Sequence, residues 1–429
     1  MLASSHARQS THSAGVTPNR HVASSVHEAG ARPVNPPDQL ASLNRLDLSL
    51  VTTRAGLEAL EADWNTLFAE AGRDIHLFQS FNWIWHWANH FLPPSNAQQH
   101  NLSLFIVTGR SGGRLALVCP FARYRRGGFT TLSFAGSPVS QYGDVLLDEQ
   151  HDGQALLERA WSFIVQTSGA DAISLRKVRA DSNIAPFLSK ARALITDRQI
   201  APYLDLASAP DYDTYEQRYS SKSRKNRRRL LRRLEENGPT SVEMLSGGEH
   251  AADMAKLAIS LKRAWLKQRG LFSPALANPA TREFFASVTA ATEKPVGAVV
   301  SYLTTRGEAA AIEVTIECKG RRAAHIIAYA LKYERSSAGQ ILLESSFRKA
   351  MQSGMRVYDL MAPGDAYKLD WADDSVEVCD WAHGLTVRGR VFSSFYLGYA
   401  RAKLKIAANT ANRLVRGFMR RGASTTNKS

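Results

Sequence analysis

Cysteine is scarce in this 429-residue chain: Cys119, Cys318 and Cys379 form no CxxC pair and no metal-ligand spacing. That excludes a disulfide framework or a zinc module and leaves three small packing residues, as suits a reducing compartment. Long apolar runs are missing as well. No stretch approaches the about 18 residues that a membrane-spanning helix requires, and no charged start leads into a continuous apolar segment of a secretory signal. A cytoplasmic, soluble body is expected. Several enzyme signatures are absent: there is no GxSxG, no Walker loop and no dinucleotide fingerprint, so hydrolase, ATPase and dehydrogenase readings lack support. His86 and His90 stand four apart, but Trp87 occupies the place where a zincin carries its Glu, and no metal site is expected.

Positive charge is plentiful, at a formal +15, yet it is concentrated. Residues 222–233 (KSRKNRRRLLRR) hold eight basic and no acidic side chains, and residues 401–429 hold another eight with none acidic. The remainder is close to neutral, so no general basic surface exists and nucleic acid is not the expected partner. The basic helix reads either as a solvated face or as a contact for an anionic partner. The C-terminal tail combines Phe392, Phe395, Tyr399, Leu414, Val415 and Phe418 with its basic residues, a pattern that suits an interfacial helix on a membrane surface.

The length predicts two globular domains. Residues 1–44, rich in Ser, Ala, His and Pro without apolar periodicity, are expected to be a disordered tail. Residues 45–207 form a first α/β unit: a strand at 47–53, a helix over 55–71 and an aromatic helix from FQSFNWIWHWANHF. A hairpin turning at Arg110 to Gly113, further strands, and helices at 153–167 and 183–194 complete it. The aromatic stripe Phe81, Trp83, Trp85, Trp87 and Phe91 reads chiefly as core.

Residues 208–390 form a second unit, opening with one long helix from Tyr212 to the Asn237-Gly238-Pro239 stop. Two helices follow, then an antiparallel meander of VGAVVSYLT, AAAIEVTIEC and AAHIIAYALKYE, with turns at Arg306-Gly307 and Lys319-Gly320. Next come SSAGQ, an apolar-periodic helix and the strand VYDLM, which make a parallel crossover. A helix N-terminus offers unpaired N–H groups and partial positive charge. Ser336, Ser337, Ala338, Gly339 and Gln340, just after Arg335, therefore form a candidate cradle for phosphate. Alone, such a turn is structural more often than ligand-binding.

Beyond that cradle, the helices RYSSKSRKNRRRLLRRLEENG and LKRAWLKQRG, the strand AAAIEVTIECKG, the segment SSAGQILLESSF and the strand and loop VYDLMAPGDAYKLDWA occur in a fixed order. With FQSFNWIWHWANHF and SFAGSPVSQYGDVLL, this ordered set resembles the bacterial GNAT acetyltransferases labelled CelD-like or BioF-like. That group is named for links to cellulose biosynthesis and is distantly related to the Fem peptidyltransferases. The resemblance spans roughly residues 45–385. It implies an α/β (α+β) fold of two tandem GNAT-like domains, each with a mixed, mostly antiparallel sheet flanked by helices. It implies acyl-CoA, with acetyl-CoA favoured, as donor substrate, no separate cofactor, and a saccharide or lipid acceptor. The donor maps to the AHIIAYAL strand and to Ser336 through Gln340. The usual glycine-rich loop is reduced here to Gly339.

Acyl transfer needs a base, an acid for the leaving thiolate and donors for the oxyanion. Glu313 interrupts an apolar strand and matches an acidic position of the group's pattern. It also alternates with apolar residues alongside Thr315 and Glu317, so a solvent-facing strand side is the other reading. The loop GDAYKLDW offers Asp365 as base or acceptor anchor, Tyr367 as acid and Lys368 as phosphate or oxyanion partner; the competing reading is a hydrogen-bonded turn with Trp371 in the core. Two other functions stay open: a non-catalytic protein binding anionic membrane or nucleic acid, and Fem-like aminoacyl transfer from charged tRNA.

Overall fold

A computed structural model describes residues 46–93, 101–148, 152–292 and 297–400. The tail at 1–44 and most of the C-terminal tail lie outside the described residues. The strands are β1 (Asp47–Val51), β2 (Leu102–Ser111), β3 (Arg114–Arg126), β4 (Phe129–Phe134), β5 (Leu146–Leu147), β6 (Ala172–Arg179) and β7 (Leu194–Asp205) in the first half. The second half holds β8 (Thr240–Leu245), β9 (Ala298–Thr305), β10 (Glu308–Cys318), β11 (Arg321–Tyr329), β12 (Val357–Asp359) and β13 (Asp374–Gly384). They join in one sheet of order β1-β2-β3-β4-β6-β13-β7-β12-β11-β10-β9-β8, with β5 paired to β3. Among the described residues only β4–β6 and β11–β12 are parallel. The fold is thus the mixed, mostly antiparallel α/β arrangement that the sequence predicts, with the two halves sharing a continuous sheet.

The join depends on an exchange. β13, late in the chain, lies between β6 and β7, pairing antiparallel with both, and β7 in turn pairs with β12. This corrects two expectations. The predicted helix at 183–194 shrinks to Ala185–Lys190, and Arg192 in the left-handed region (φ 52°) marks its end. Residues 194–205 (LITDRQIAPYLD) are then a strand, although their polarity hides it, because hydrogen bonds on both edges hold them in the ladder. The long helix predicted from Tyr212 also breaks: a turn at Tyr212–Tyr215 precedes the helix Ser221–Glu235, since the Ser220 side chain accepts from Ser223 N–H and starts a new helix there.

The helices that position the site are α1 (Glu61–Ala71), α2 (Phe81–Phe91), α3 (Gly153–Thr167), α4 (Ser221–Glu235), α5 (Glu249–Arg269), α6 (Pro279–Ala290) and α7 (Ala338–Gln352). α2, α5 and α6 pack with one face of β9–β11 in the largest core cluster. Trp83 and Trp87 are fully buried, and their indole N–H groups donate to Ser140 Oγ (2.9 Å) and to the Ser137 carbonyl (2.8 Å). The aromatic stripe therefore does two jobs: it fills the core and anchors the loop 136–143. His86 joins the halves through Nδ1 and Ser287 Oγ at 2.8 Å.

Candidate active site

The parallel pair β11–β12 is short. It registers only Arg321 with Val357, Arg322 with Tyr358 and Ala323 with Asp359. Beyond that point β11 continues to Tyr329, while the other chain departs through Leu360–Gly364, with Met361 in the left-handed region (φ 58°). A V-shaped gap results, and from Ala324 onward that edge of β11 pairs with no strand among the described residues. Asp359 sits at its apex, fully buried. It accepts from Tyr142 Oη (2.7 Å), Arg179 Nη1 (3.2 Å), Arg321 Nη1 (3.1 Å) and the Met361 N–H (2.8 Å). Two arginines and a tyrosine thus fix the place where the strands part.

β11 is also bulged inside the gap. Val314 faces Ile326 and Thr315 faces Ala324, so His325 is the extra residue left out of the β10 ladder. Its Nε2 lies 2.6 Å from the Val139 carbonyl, which can only accept, so the proton is on Nε2. Burial pushes its pKa down to about 4, against the pull of the Val139 bond and aided by the charge of Lys177. His325 is therefore neutral at physiological pH, with Nδ1 buried and unpartnered among the described residues.

At the far end of β11 stands the N-terminus of α7. Ser337, left-handed at φ 55°, opens the helix, and its carbonyl accepts from Gln340 and Ile341 N–H at 2.9 and 3.2 Å. The first-turn N–H groups of Ala338 and Gly339 precede any intrahelical acceptor. Gly339 packs on β11: a Cβ there would stand 3.3 Å from Tyr329 Cδ1. Ser336 and Ala338 are buried, Ser337 and Gly339 half-buried and Gln340 exposed. Tyr329 Oη receives Trp265 Nε1 at 2.7 Å, and Arg269 pairs with Glu334 while stacking on Trp265 at 4.2 Å.

The loop after β12 forms the opposite wall. Asp365 precedes a helical turn, Ala366–Leu369. Lys368 Nζ donates to the Met361 and Pro363 carbonyls at 2.8 and 2.9 Å, with Asp365 at 3.9 Å. Burial and the charge of Lys262 pull Lys368 down to about 8, against Asp365 and Asp359. Burial also lowers Lys262, whose ammonium donates to the Ile327 carbonyl at 3.1 Å. Tyr367 is raised by burial and by Asp365, Glu313 and Tyr329, so its phenol stays protonated.

The structure thus brings Asp365, Tyr367 and Lys368 to one gap with the α7 N-terminus. Glu313 is placed differently. It is 0% exposed, beneath α7, accepting from Tyr358 Oη at 2.6 Å, while Tyr358 Oη and Ser346 Oγ lie 2.7 Å apart. The solvent-facing reading is therefore wrong: α7 covers the side of β10 that carries Glu313 and Thr315. Burial pushes Glu313 up to about 7, against the Tyr358 and Ser346 bonds and Arg322. Trp371 is 4% exposed and packs on Phe347 and Tyr219, so it belongs to the core as the competing reading of that loop holds. Sequence reasoning missed Lys177, Lys262, Trp265, His325 and Tyr329. Lys262 and Trp265 stand in a family-like helix, and His325 and Tyr329 in the AHIIAYAL strand to which the resemblance maps the donor, but none was singled out; Lys177 had no such signal.

A cavity of about 800 Å³ lies elsewhere, between Thr52–Arg54 and Arg123–Gly128. Leu92, Pro93 and Asn101 also line it, and its described lining holds no carboxylate, so the gap is the better candidate.

A meander leading to a bulged strand, a splayed parallel partner and a helix N-terminus at the strand end make up the candidate site. Residues 221–369 match the family model described as acetyltransferase (GNAT) domain. Among solved structures, FemX superposes with a TM-score of 0.54 at 10% identity, over 81% of this chain and 98% of that one. L-PGS from Bacillus licheniformis gives 0.46 at 12% identity over 82% and 95%. A tandem GNAT protein from the clavulanic acid biosynthesis pathway gives 0.45 at 12% over 79% and 99%. Comparison with curated proteins finds no match.

Proposed function

We propose that this chain transfers an acyl group, with acetyl favoured, from acyl-CoA to an amine or hydroxyl of a saccharide or lipid precursor. The resemblance to the CelD-like group favours a precursor of a cell-surface polysaccharide. The observation that carries this reading is the continuity of the gap between β11 and residues 360–366 with the α7 N-terminus, made at the contact of Gly339 with Tyr329. Pantetheine is an extended chain of amides and suits an unpaired strand edge. Diphosphate suits the first-turn N–H groups beside a glycine. Residues 208–390 act as the donor-binding domain, and residues 45–207 contribute the acceptor wall through loop 136–143.

In the reaction, the acceptor's lone pair attacks the thioester carbonyl, the C–S bond breaks and the acceptor's proton passes to a base. Asp365 is the base or acceptor anchor. Tyr367, kept protonated, gives its proton to the leaving thiolate. Lys368, still largely charged at neutral pH, is the cation for phosphate or oxyanion, and the residue left out of the bulged ladder adds a backbone N–H donor. Glu313 lies a layer below and acts through Tyr367 rather than on substrate. A structure with CoA bound tests this: the sulfur is expected in the gap, between the His325 bulge and Tyr367. A sulfur on the far side of α7, facing Glu313 and Tyr358, overturns it.

The start of the C-terminal tail, residues 391–400, and the short helix Val387–Val391 that leads into it support peripheral membrane contact. Val387, Val391, Phe395, Tyr396 and Tyr399 are exposed alongside Arg388 and Arg390, which suits insertion at an anionic interface. No helix among the described residues is long and apolar enough to cross a membrane.

A further inference from the structure

Lysines from three elements reach the gap, and little carboxylate charge is provided to match them. Lys177, on β6 in a left-handed conformation (φ 58°), points its ammonium at the side-chain amide oxygen of Gln141, a neutral partner. The carboxylate that acts on it, Asp380, is already bonded to Arg176 Nε (3.1 Å) and to the Lys177 backbone N–H (2.9 Å). Lys368 and Lys262 are hydrogen-bonded to carbonyls. Asp365 is the carboxylate they share, and its side chain is 55% exposed. Asp359 also acts on Lys368 but is committed to Arg179 and Arg321.

These cations repel one another. Lys177 is pulled down to about 8 by burial, by Arg176 and by Lys368, with Asp380 opposing. Lys368 reaches the same value with Lys262 adding to its burial, and His325 beside Lys177 is neutral. Desolvated ammonium groups near one another are costly unless an anion joins them. That anion is not the diphosphate of the donor. The α7 N-terminus lies at the Tyr329 end of β11, whereas Lys177 lies by His325 and Val139 near the paired end. Four strand residues separate the two places by about 13 Å.

We infer that the acceptor carries an oxyanion, a carboxylate or a phosphate, held between Lys177 of the first half and Lys368 of the second. This deepens the acyltransferase reading and rests on it for the acceptor's role; the anion seat itself rests on the lysines. Both halves then share the acceptor, and specificity comes from charge at the closed end of the gap rather than from the basic helix α4.

The test uses the full chain saturated with CoA, titrated calorimetrically with inorganic phosphate and, in a second arm, with acetate, at pH 8.5 in two buffers of different ionisation enthalpy. Lysines with a pKa of about 8 are mostly neutral there, and a bound anion raises them. Saturable binding with proton uptake is expected, and the arm that binds identifies phosphate or carboxylate. Lys177→Gln weakens that binding at least about tenfold while changing CoA affinity less than about twofold, and Lys177→Arg restores it. Three results overturn the inference: displacement of CoA by the anion, unchanged anion binding in Lys177→Gln, or no binding of either probe. If CoA does not bind but the Lys177-dependent anion does, the donor reading fails and the anion seat stands.

Discussion

Asp359 and Arg179 are 180 positions apart in the chain and meet at 3.2 Å, each side chain at most 2% exposed. The pair ties β12, where the gap opens, to β6 of the first half. Replacing Asp359 by Asn leaves Arg179 and Arg321 without their shared buried charge. Breaking a buried pair from one side costs about 3–5 kcal/mol. Arg179 keeps Asp181, at 2.8 Å through two nitrogens, so the lower end of that range is expected in urea unfolding. A loss below about 1 kcal/mol shows that the network does not hold the apex.

Glu313 gives the stability a pH dependence of definite sign. Its pKa rises to about 7 in the folded chain, so between about pH 4.5 and 7 the folded state binds more protons than the unfolded one, and stability falls as pH rises through that window. Glu313→Gln carries no titrating charge, so its stability is expected to be near wild type at pH 5 and higher by about 1–3 kcal/mol at pH 8. Parallel pH profiles for the two proteins contradict this.

Tyr367→Phe separates chemistry from binding. If its phenol protonates the thiolate, the turnover number falls by about 10²-fold or more while acyl-CoA affinity changes little. Steady-state kinetics with a direct binding titration resolve the two quantities; an unchanged turnover number removes Tyr367 from the reaction.

The exposed aromatic residues of the tail predict attachment to anionic vesicles. Sedimentation with vesicles rich in phosphatidylglycerol is expected to pellet the full chain, and Phe395→Glu with Tyr399→Glu to release most of it. Equal pelleting of both proteins, or of the full chain and residues 1–390, contradicts the attachment.

The parts of this molecule that were legible in the sequence are those where local signals and tertiary demands agree. The meander β9–β11 has apolar alternation and two turns whose Arg306-Gly307 and Lys319-Gly320 adopt positive φ. The α7 N-terminus follows a small-residue segment and precedes a clear apolar period. β7 was not legible, because its polar residues are stabilised by ladders on both edges rather than by a buried face. The exchange of β13 into the first half rests on pairing between residues far apart, which periodicity does not record. The same holds at the site. Asp365, Tyr367 and Lys368 are neighbours in one loop, whereas Lys177, Lys262 and His325 converge from three strands and helices with no sequence spacing to mark them. Glu313 looked exposed by alternation because the cover of α7 over that strand face is a tertiary fact.

The central claim is that acyl-CoA binds in the gap with its phosphates at the α7 N-terminus, and it is tested most directly by titrating acetyl-CoA into the wild-type chain and Gly339→Trp side by side. The Cβ position already meets the Tyr329 ring at 3.3 Å, so an indole there closes the approach to Ala338 and Gly339 N–H. The account predicts one saturable site per wild-type chain. In the variant, affinity is at least about tenfold weaker, with the unfolding midpoint within a few degrees of wild type. Equal affinity in the two proteins, or no binding by the wild type, contradicts it.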